Sequence, residues 1–592
     1  MPWIQKVTPP KNPTYEFTIE DFSGGLNNRS SIVNDNEATN LLNLRFTYQD
    51  ILEKRNGFKK FDDLQLSDPI TYLDLYRPYN DDDVLIRATD REVYANDTKI
   101  CDVNGRIDGV NHQGMFLFCD GSDLYAYGKF PSQTSTYLKI IGNIPSENTL
   151  LKVTNPKEGY TPLDEVHTRG VLVINYDEGT ISYEPCVNEL DDPYLGVNLL
   201  PENPTFIQTH KGRIFISGDD KDDDNVYMSD LKSPFYFAVA LPIQLPPNSD
   251  KVRGLYVFFD SVIVGREFDI YVITGETNNP ELGFPLFTLN KINTHTGVAN
   301  NKSMDASNNY LFYVGSDGVC YALSTISTYG EQLATQIISN QIDIFKAPIN
   351  ATEDDLRDAS TCYDRDNWYV NIGDKTLVYS YRHRAWTLYD KVDMYSPLRY
   401  FDKLIWGRHD GLVCEWSDDY MDLEEPIYAF WESKNYDMGS ATRYKQFREF
   451  FMVAHAYDYS DSDVRVHFET DYSDVNNSTV VENKISYYGI AHYGDRFINR
   501  NISASIPFMI GRRARYLKIR FANGFPIDEY VETELDLYDI MHKYNYMGAH
   551  VAETNAFYYY EQGQWIKLTP EQLNQPMRVY KINGEYNLKG KR

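Results

Sequence analysis

One plan recurs along this chain: an apolar strand, a turn that ends in glycine, and an aromatic-rich strand that returns. Its fullest copy is KGRIFISGDDKDDDNVYMSDLKSPFYF, Lys211–Phe237. Ile214 and Ile216 alternate with Arg213, Phe215 and Ser217, an acidic tip follows, and the chain resumes at Val226–Ser229. Pro234 cannot donate to a ladder, so Phe235, Tyr236 and Phe237 carry the chain to another element. Met115–Tyr127, Val171–Glu184, Tyr310–Leu323 and Lys403–Trp416 repeat the plan, and Val84–Tyr94, Ser261–Thr274 and Asn367–Tyr379 are looser copies. Asp120-Gly121, Asp317-Gly318 and Asp410-Gly411 are dipeptides that tight hairpins favour, because glycine accepts positive φ and aspartate tolerates it. Eight hairpins at a mean spacing of about 47 residues approach the period of propeller blades. The expectation is an all-β chain whose residues 68–422 form a β-propeller of seven or eight blades.

The flanks read differently. Residues 1–67 give a Pro-rich arm, a short helix and a hairpin at Asn56-Gly57; the helix rests on Asn34-x-x-Glu37, a capping-box pattern, with Ala38, Leu41, Leu42 and Phe46 at helical spacing. A second helix is expected at Glu331–Phe345, from Leu333, Ile337, Ile338, Ile342 and Ile344. From 423 to 592 the strands lengthen and alternate. Val464, Val466 and Phe468 oppose Arg465, His467 and Glu469, while Leu517, Ile519 and Phe521 oppose Lys518 and Arg520, the pattern of a half-buried β-sandwich. The aromatic run Phe557–Tyr560 with Trp565 packs on its own domain or docks a partner.

Composition narrows the function. A formal net charge of −29 is the reverse of what phosphate binding requires. The cysteines at 101, 119, 186, 320, 362 and 414 lack C-x-x-C spacing and read as small buried hydrophobes of a reducing compartment. No window approaches a membrane span and no leader pattern opens the chain, so folding in a cytoplasm is expected.

Motifs for chemistry are absent: no G-x-S-x-G, H-E-x-x-H or Walker loop, and no sialidase-type Ser-x-Asp-x-Gly-x-x-Trp box. No catalytic, cofactor or metal residue is assigned. Asp219, Asp220, Asp222, Asp223 and Asp224 offer carboxylates to a cation but lack EF-hand spacing, so a solvated tip is the better reading. His383 and His409 sit beside Arg382, Arg384 and Arg408, poor company for a general base. Arg512, Arg513, Arg515, Lys518 and Arg520 form the densest basic cluster, read as an interface to an acidic neighbour or as one solvated sheet face, with DNA phosphate contact third.

A resemblance attaches to several segments in order. F-x-GGL-N…D-x-EA-x-N-L-x-N…L-x-KR-x-G within Phe22–Gly57 resembles the opening of bacteriophage tail hub or nozzle proteins, also called tail tubular proteins. Gly212–Phe237, Gly265–Gly275, Thr294–Leu323, Tyr379–Asp390 and Trp431–Val453 resemble later segments of that family. The resemblance implies a structural virion protein of a short-tailed phage, assembled in the host cytoplasm. Copies would form a ring, usually a hexamer, beneath the portal and adaptor, near tail fibres, and let double-stranded DNA pass without specific binding. An acidic lumen is expected, since repulsion acts only within about 8 Å at physiological salt and basic residues would hold phosphates. The alternatives are a propeller glycosidase or lyase acting on host-surface polysaccharide, and a monomeric carbohydrate-binding module.

Overall fold

The computed structural model describes residues 13–29, 32–47, 51–131, 133, 138–154, 171–184, 200–218, 224–231, 233–237, 243–247, 250–276, 286–292, 296–307, 309–325, 333–454, 464–471, 473–481, 504–509, 513–540, 547–561 and 563–589. Within them the chain is all-β, in many sheets, none closed into a barrel.

Seven sheets follow one another, each built on an antiparallel meander of successive strands, with parallel pairs added in the second. The first comprises Tyr72–Tyr76, Val84–Ala88, Glu92–Ala95 and Thr98–Asp102. The second to sixth open with Asp108–His112, Phe206–His210, Val252–Phe258, Met304–Ala306 and Ser360–Asp364. The seventh joins Ser396–Tyr400, Lys403–Gly407 and Leu412–Trp416 to Phe58–Gln65, a strand delivered from the other end of the chain. Opening strands of consecutive sheets lie side by side, the 3-10 turn Asn301–Ser303 standing in where the fourth meets the fifth, and the seventh lies against the first.

Apolar cores between the sheets follow the same cycle. Ile86 and Val93 of the first sheet share a core with Phe116 and Phe118 of the second. Leu117 and Ile174 of the second share one with Ile214 and Ile216 of the third, and Phe215 of that same strand packs instead with Val262 and Val264 of the fourth. Alternation along Arg213–Ser217 therefore separates two neighbours rather than core from water, and the whole strand is buried. Ile263 meets Leu311, Phe312 meets Trp368, Val378 meets Trp406 and Phe58, and Ile405 and Val413 close the cycle against Ile70 and Leu85.

Seven of the eight expected hairpins supply the second and third strands of these sheets. The eighth, Val171–Glu184, extends the second sheet: Thr180–Glu184 runs parallel to Thr149–Thr154, and Val171–Asn175 lies outside it. Gly121, Gly318 and Gly411 have φ of 81°, 76° and 78°, as their Asp-Gly turns require. Gly411 is also a close approach, since a Cβ there would lie 2.0 Å from the Leu66 carbonyl oxygen.

Both expected helices are strands instead. Glu37–Leu42 pairs with Ala429–Ser433, and a bulge between Ala38 and Asn40 turns Ala38 and Leu41 to one core, imitating helical spacing. The Asn34–Glu37 pairing exists, with the Asn34 N–H donating to Glu37 Oε2 at 2.8 Å, but it closes a turn. Glu37 also accepts from Asn27 and Gln341, tertiary partners that favour this turn. In the second stretch Leu333–Ile337 is the fourth strand of the fifth sheet, and Ile342 and Ile344 then enter the core shared with the sixth; Glu331 and Gln332 lie outside the described residues.

Two further sheets pack face to face. One runs Leu44–Phe46, Leu52–Lys54, Arg578–Leu588, Lys445–Ala454, Ala504–Met509, with Thr14–Ile19 on Arg578–Leu588. The other runs Gly25–Leu26, Glu37–Leu42, Ala429–Ser433, Leu517–Asn523, Val464–Thr470, Ser473–Val481. Phe450 of the first meets Phe468 of the second at 5.5 Å between ring centres. The expected alternation holds: Val466 faces Phe521 and Phe468 faces Ile519 in register, all buried, with His467 opposite Arg520 on the other face. A small sheet, Glu529–Val531, Gly548–Val551, Ala556–Glu561 and Gln564–Lys567, holds the aromatic run, and Trp565 donates to the Leu537 carbonyl at 2.8 Å.

The seam between the cycle of seven and the facing pair is polar. Arg55 is 1 % exposed and binds both Asp422 oxygens, at 2.7 and 2.6 Å, while its remaining donors reach Asn43, Asn56 and Asp390. Burial alone would lower its pKa; the Asp422 carboxylate outweighs that and holds the guanidinium above its ordinary range. Lys54 beside it donates to Asn523 and to the Gln575 carbonyl, and burial brings its pKa down to about 7. Gly57 passes where any Cβ would lie 1.9 Å from the Met421 carbonyl oxygen.

Replacing Asp422 by Ala strands a buried cation, so we expect about 3–5 kcal/mol lost in urea unfolding, and a smaller loss for the Arg55→Met, Asp422→Leu double variant. Between the folded value of Lys54 near 7 and its unfolded value near 10.5, the unfolded chain holds the proton that the folded one releases, so this group makes stability rise with pH. Lys54→Met removes that component from the pH 7–9 profile.

Candidate axial site and interaction surfaces

Polar contacts link several of the neighbouring opening strands. The Tyr72 hydroxyl donates to the Gly109 carbonyl at 2.9 Å, joining the first sheet to the second, and lies 3.1 Å from Asp74 Oδ2. Asp108 accepts the Ile207 N–H at 2.9 Å, and His112 meets Thr209 at 2.8 Å, joining second to third. Asp305 accepts the Tyr256 hydroxyl at 2.9 Å and the Tyr363 N–H at 2.5 Å, so one carboxylate ties the fifth sheet to the fourth and sixth. Thr361 donates to the Lys302 carbonyl at 3.1 Å. A pocket of about 300 Å³ opens among Tyr72, Lys302, Asp305, Thr361 and Arg399.

These groups are partly buried, and desolvation shifts their ionisation. Burial pushes Asp108 up to about 7 and Asp74 up to about 6. Burial also brings Lys302 down to about 8, and Arg106 adds to that. Because each carboxylate already accepts backbone or tyrosine donors, the arrangement acts as inter-sheet fastening. Burial likewise raises the Cys101 and Cys414 thiols to about 12 and those of Cys119 and Cys362 well above their ordinary value, which disfavours the thiolate.

The predicted basic cluster divides. Arg512 lies outside the described residues. Arg513 and Arg515 are exposed beside the Lys445–Ala454 strand, Arg515 stacking on Tyr444 at 5.2 Å. Lys518 and Arg520 lie on the neighbouring facing sheet, where Lys518 reaches Glu432 at 2.6 Å and Arg520 covers the Phe430 ring at 3.9 Å and donates to the Tyr428 hydroxyl. Lys518 is thus partly neutralised within the molecule, while among the described residues of the cluster Arg513 and Arg515 are exposed. Burial, with Arg520 and Arg465 beside it, lowers His467 to about 4.

Of the acidic tip, Asp219–Asp223 lie outside the described residues, while Asp224 is bound by the fully buried Arg266 at 2.5 Å. No group of three or more potential metal ligands occurs among the described residues. His409 faces Asp393 at 2.5 Å, and that hydrogen bond raises its pKa; the reading from Arg408 alone misses this partner, sixteen residues away and on a different turn.

A larger cleft, of about 580 Å³, separates the sixth sheet from the Leu44–Phe46/Leu52–Lys54 hairpin. Tyr369, Tyr389 and Trp416 make its aromatic side, with ring centres 6.2–6.3 Å apart from Trp416. Glu53 lies between two guanidiniums, Arg45 on Oε1 at 2.8 Å and Arg578 on Oε2 at 2.5 Å. Nothing local in the sequence announces this triad, because Arg578 is 525 residues from Glu53.

No family model and no curated relative matches the chain. Among solved structures, 61 % of the chain is similar to 99 % of the computationally designed Ika8 protein, at 9 % identity and a TM-score of 0.32. So loose a likeness carries no argument. No helix is long and apolar enough to cross a membrane among the described residues.

For Asp108, whose folded pKa is raised, the folded chain holds more protons than the unfolded one between about pH 4 and 7, so this group lowers stability as pH rises through that window. Asp108→Asn keeps an acceptor for the Ile207 N–H; we expect it to flatten that part of the thermal-stability profile and to gain about 1–3 kcal/mol at pH 8.

Proposed function

We propose that the seven mutually packed sheets are the blades of a β-propeller, that the two facing sheets are a β-sandwich, and that the protein is a structural subunit of a short phage tail. In this reading copies assemble into a ring, with six the expected number, that forms a nozzle for genome ejection and presents surfaces to portal, adaptor and fibre proteins. Assembly would take place in the host cytoplasm and no chemistry is assigned to the chain.

The observation that carries the reading is where the family-like segments fall. Some are strands within the sheets and three fall at joints: Arg55 and Gly57 occupy the seam, Trp386 is buried and donates to the Ile338 carbonyl at 3.0 Å, and Trp431 is fully buried beneath Phe22. A resemblance carried by strands and the joints between them transfers architecture more securely than it transfers any reaction. The closed cycle of sheet contacts supports seven blades, and the seventh sheet's mixed origin supports closure by the N-terminal strand.

The polar axis bears on the route of DNA. Its pocket of about 300 Å³ is lined by residues that hydrogen-bond between sheets, whereas a duplex has a major groove alone about 12 Å wide. A conduit is therefore formed between copies, around the ring's own axis. We expect Asp and Glu to predominate on that lining, in keeping with the net charge of −29.

Light scattering of the purified full chain, followed by negative-stain averaging, tests the assembly. Rings of about six copies with a central hole are expected, alone or on addition of a portal–adaptor complex. A chain that remains monomeric in both settings contradicts the reading, as does a ring whose bore is lined by Lys and Arg.

A further inference from the structure

The cleft beside the seam has no part in a nozzle's work, yet its lining is that of a ligand site. We propose that it binds a saccharide carrying a carboxylate, a uronic-acid sugar, between the Trp416–Tyr369 wall and the Arg45–Glu53–Arg578 triad. Its volume, about 580 Å³, lies within the range of small-molecule sites and suits a few sugar rings.

Three features select the ligand class. Pyranose rings present a C–H face that packs on aromatic rings, and Trp416 and Tyr369 are half-buried in the cleft, as rings available to a ligand are. Sugar hydroxyls need both donors and acceptors, and Asn56, Asn367, Asp366 and Asp418 provide both around the mouth. Last, one carboxylate, Glu53, serves two guanidiniums whose planar forks each suit bidentate pairing. Arg45 is 41 % exposed and needs little rearrangement to meet a second carboxylate. A nucleoside phosphate would also satisfy the guanidiniums and offers two ribose hydroxyls, fewer than the successive pyranose rings of an oligosaccharide, so AMP is the comparison that separates the two classes. The site lies away from the exposed Arg513 and Arg515, and the inference stands independently of ring assembly.

The test is calorimetric titration of the full chain with a hyaluronan tetrasaccharide, beside chitotetraose as a neutral sugar and AMP as a phosphate-bearing ring. Saturable binding of the uronate sugar is expected, at least about tenfold tighter than either comparison ligand. Arg45→Gln is expected to weaken it about tenfold and Trp416→Ala to abolish it, with Arg513→Gln unchanged. Because Trp416 also packs on Trp406 at 4.8 Å, the exposed Arg45 variant decides the matter if the tryptophan variant unfolds. No binding by the wild type, equal binding by wild type and Arg45→Gln, or tighter binding of AMP or chitotetraose overturns the proposal. Particle averages of Arg45→Gln, expected to match wild type, separate a failure here from a failure of the ring reading.

Discussion

The ion pair between Arg55 and Asp422 is the contact on which the arrangement of the two ends of this chain depends. It joins the residue that follows the Leu52–Lys54 strand of one facing sheet to the short strand Met421–Asp422, which pairs with Phe58 in the seventh sheet, and its other donors reach Asn43 and the Asp390 carbonyl. A charge this deeply placed is tolerable only because every guanidinium donor group has an acceptor. Such a pair adds little to net stability compared with apolar packing, but it fixes position: a shift of one residue would leave a buried cation without its counter-charge. Lys54 and Gly57 tighten the same requirement, one by two buried hydrogen bonds and the other by an approach that admits no side chain.

With that seam set, the N-terminal segment serves both parts of the molecule. Thr14–Ile19, Glu37–Leu42, Leu44–Phe46 and Leu52–Lys54 are strands of the facing sheets, and Phe58–Gln65 then completes the seventh sheet. The boundaries at 67 and 422 that composition suggests mark changes of pattern along the chain, while the hydrogen bonding runs across them. Closing the cycle with a strand from the far end joins the chain's beginning to its last sheet, so opening the cycle requires breaking a ladder as well as an apolar core.

Much of the fold was legible because its signals are local. Asp-Gly turns at 120–121, 317–318 and 410–411 lie where the sequence places them, and Val466, Phe468, Ile519 and Phe521 face one core as their alternation requires. What escaped depends on distant partners. Ala38 and Leu41 look helical until a bulge against Ala429–Ser433 supplies the reason for their spacing, and Val171–Glu184 has every mark of a separate sheet yet pairs into the second. The candidate sites escaped for the same cause. Asp108 becomes unusual only when the Ile207 N–H and the burial around it are known, and Glu53 only when Arg578 arrives. The basic cluster was legible as a run of cations, but Glu432 and the Phe430 ring, which occupy two of them, were not.

The most direct test of this account is amide hydrogen exchange followed by mass spectrometry on the intact chain, comparing Phe58–Gln65 with Lys403–Gly407 and Leu412–Trp416. If the N-terminal strand completes the seventh sheet, the three segments exchange as one unit and lose protection together when Asp422→Ala weakens the seam. Rapid exchange across Phe58–Gln65 while Lys403–Trp416 stays protected would contradict it, since the seventh sheet would then be complete without the strand that the seam delivers.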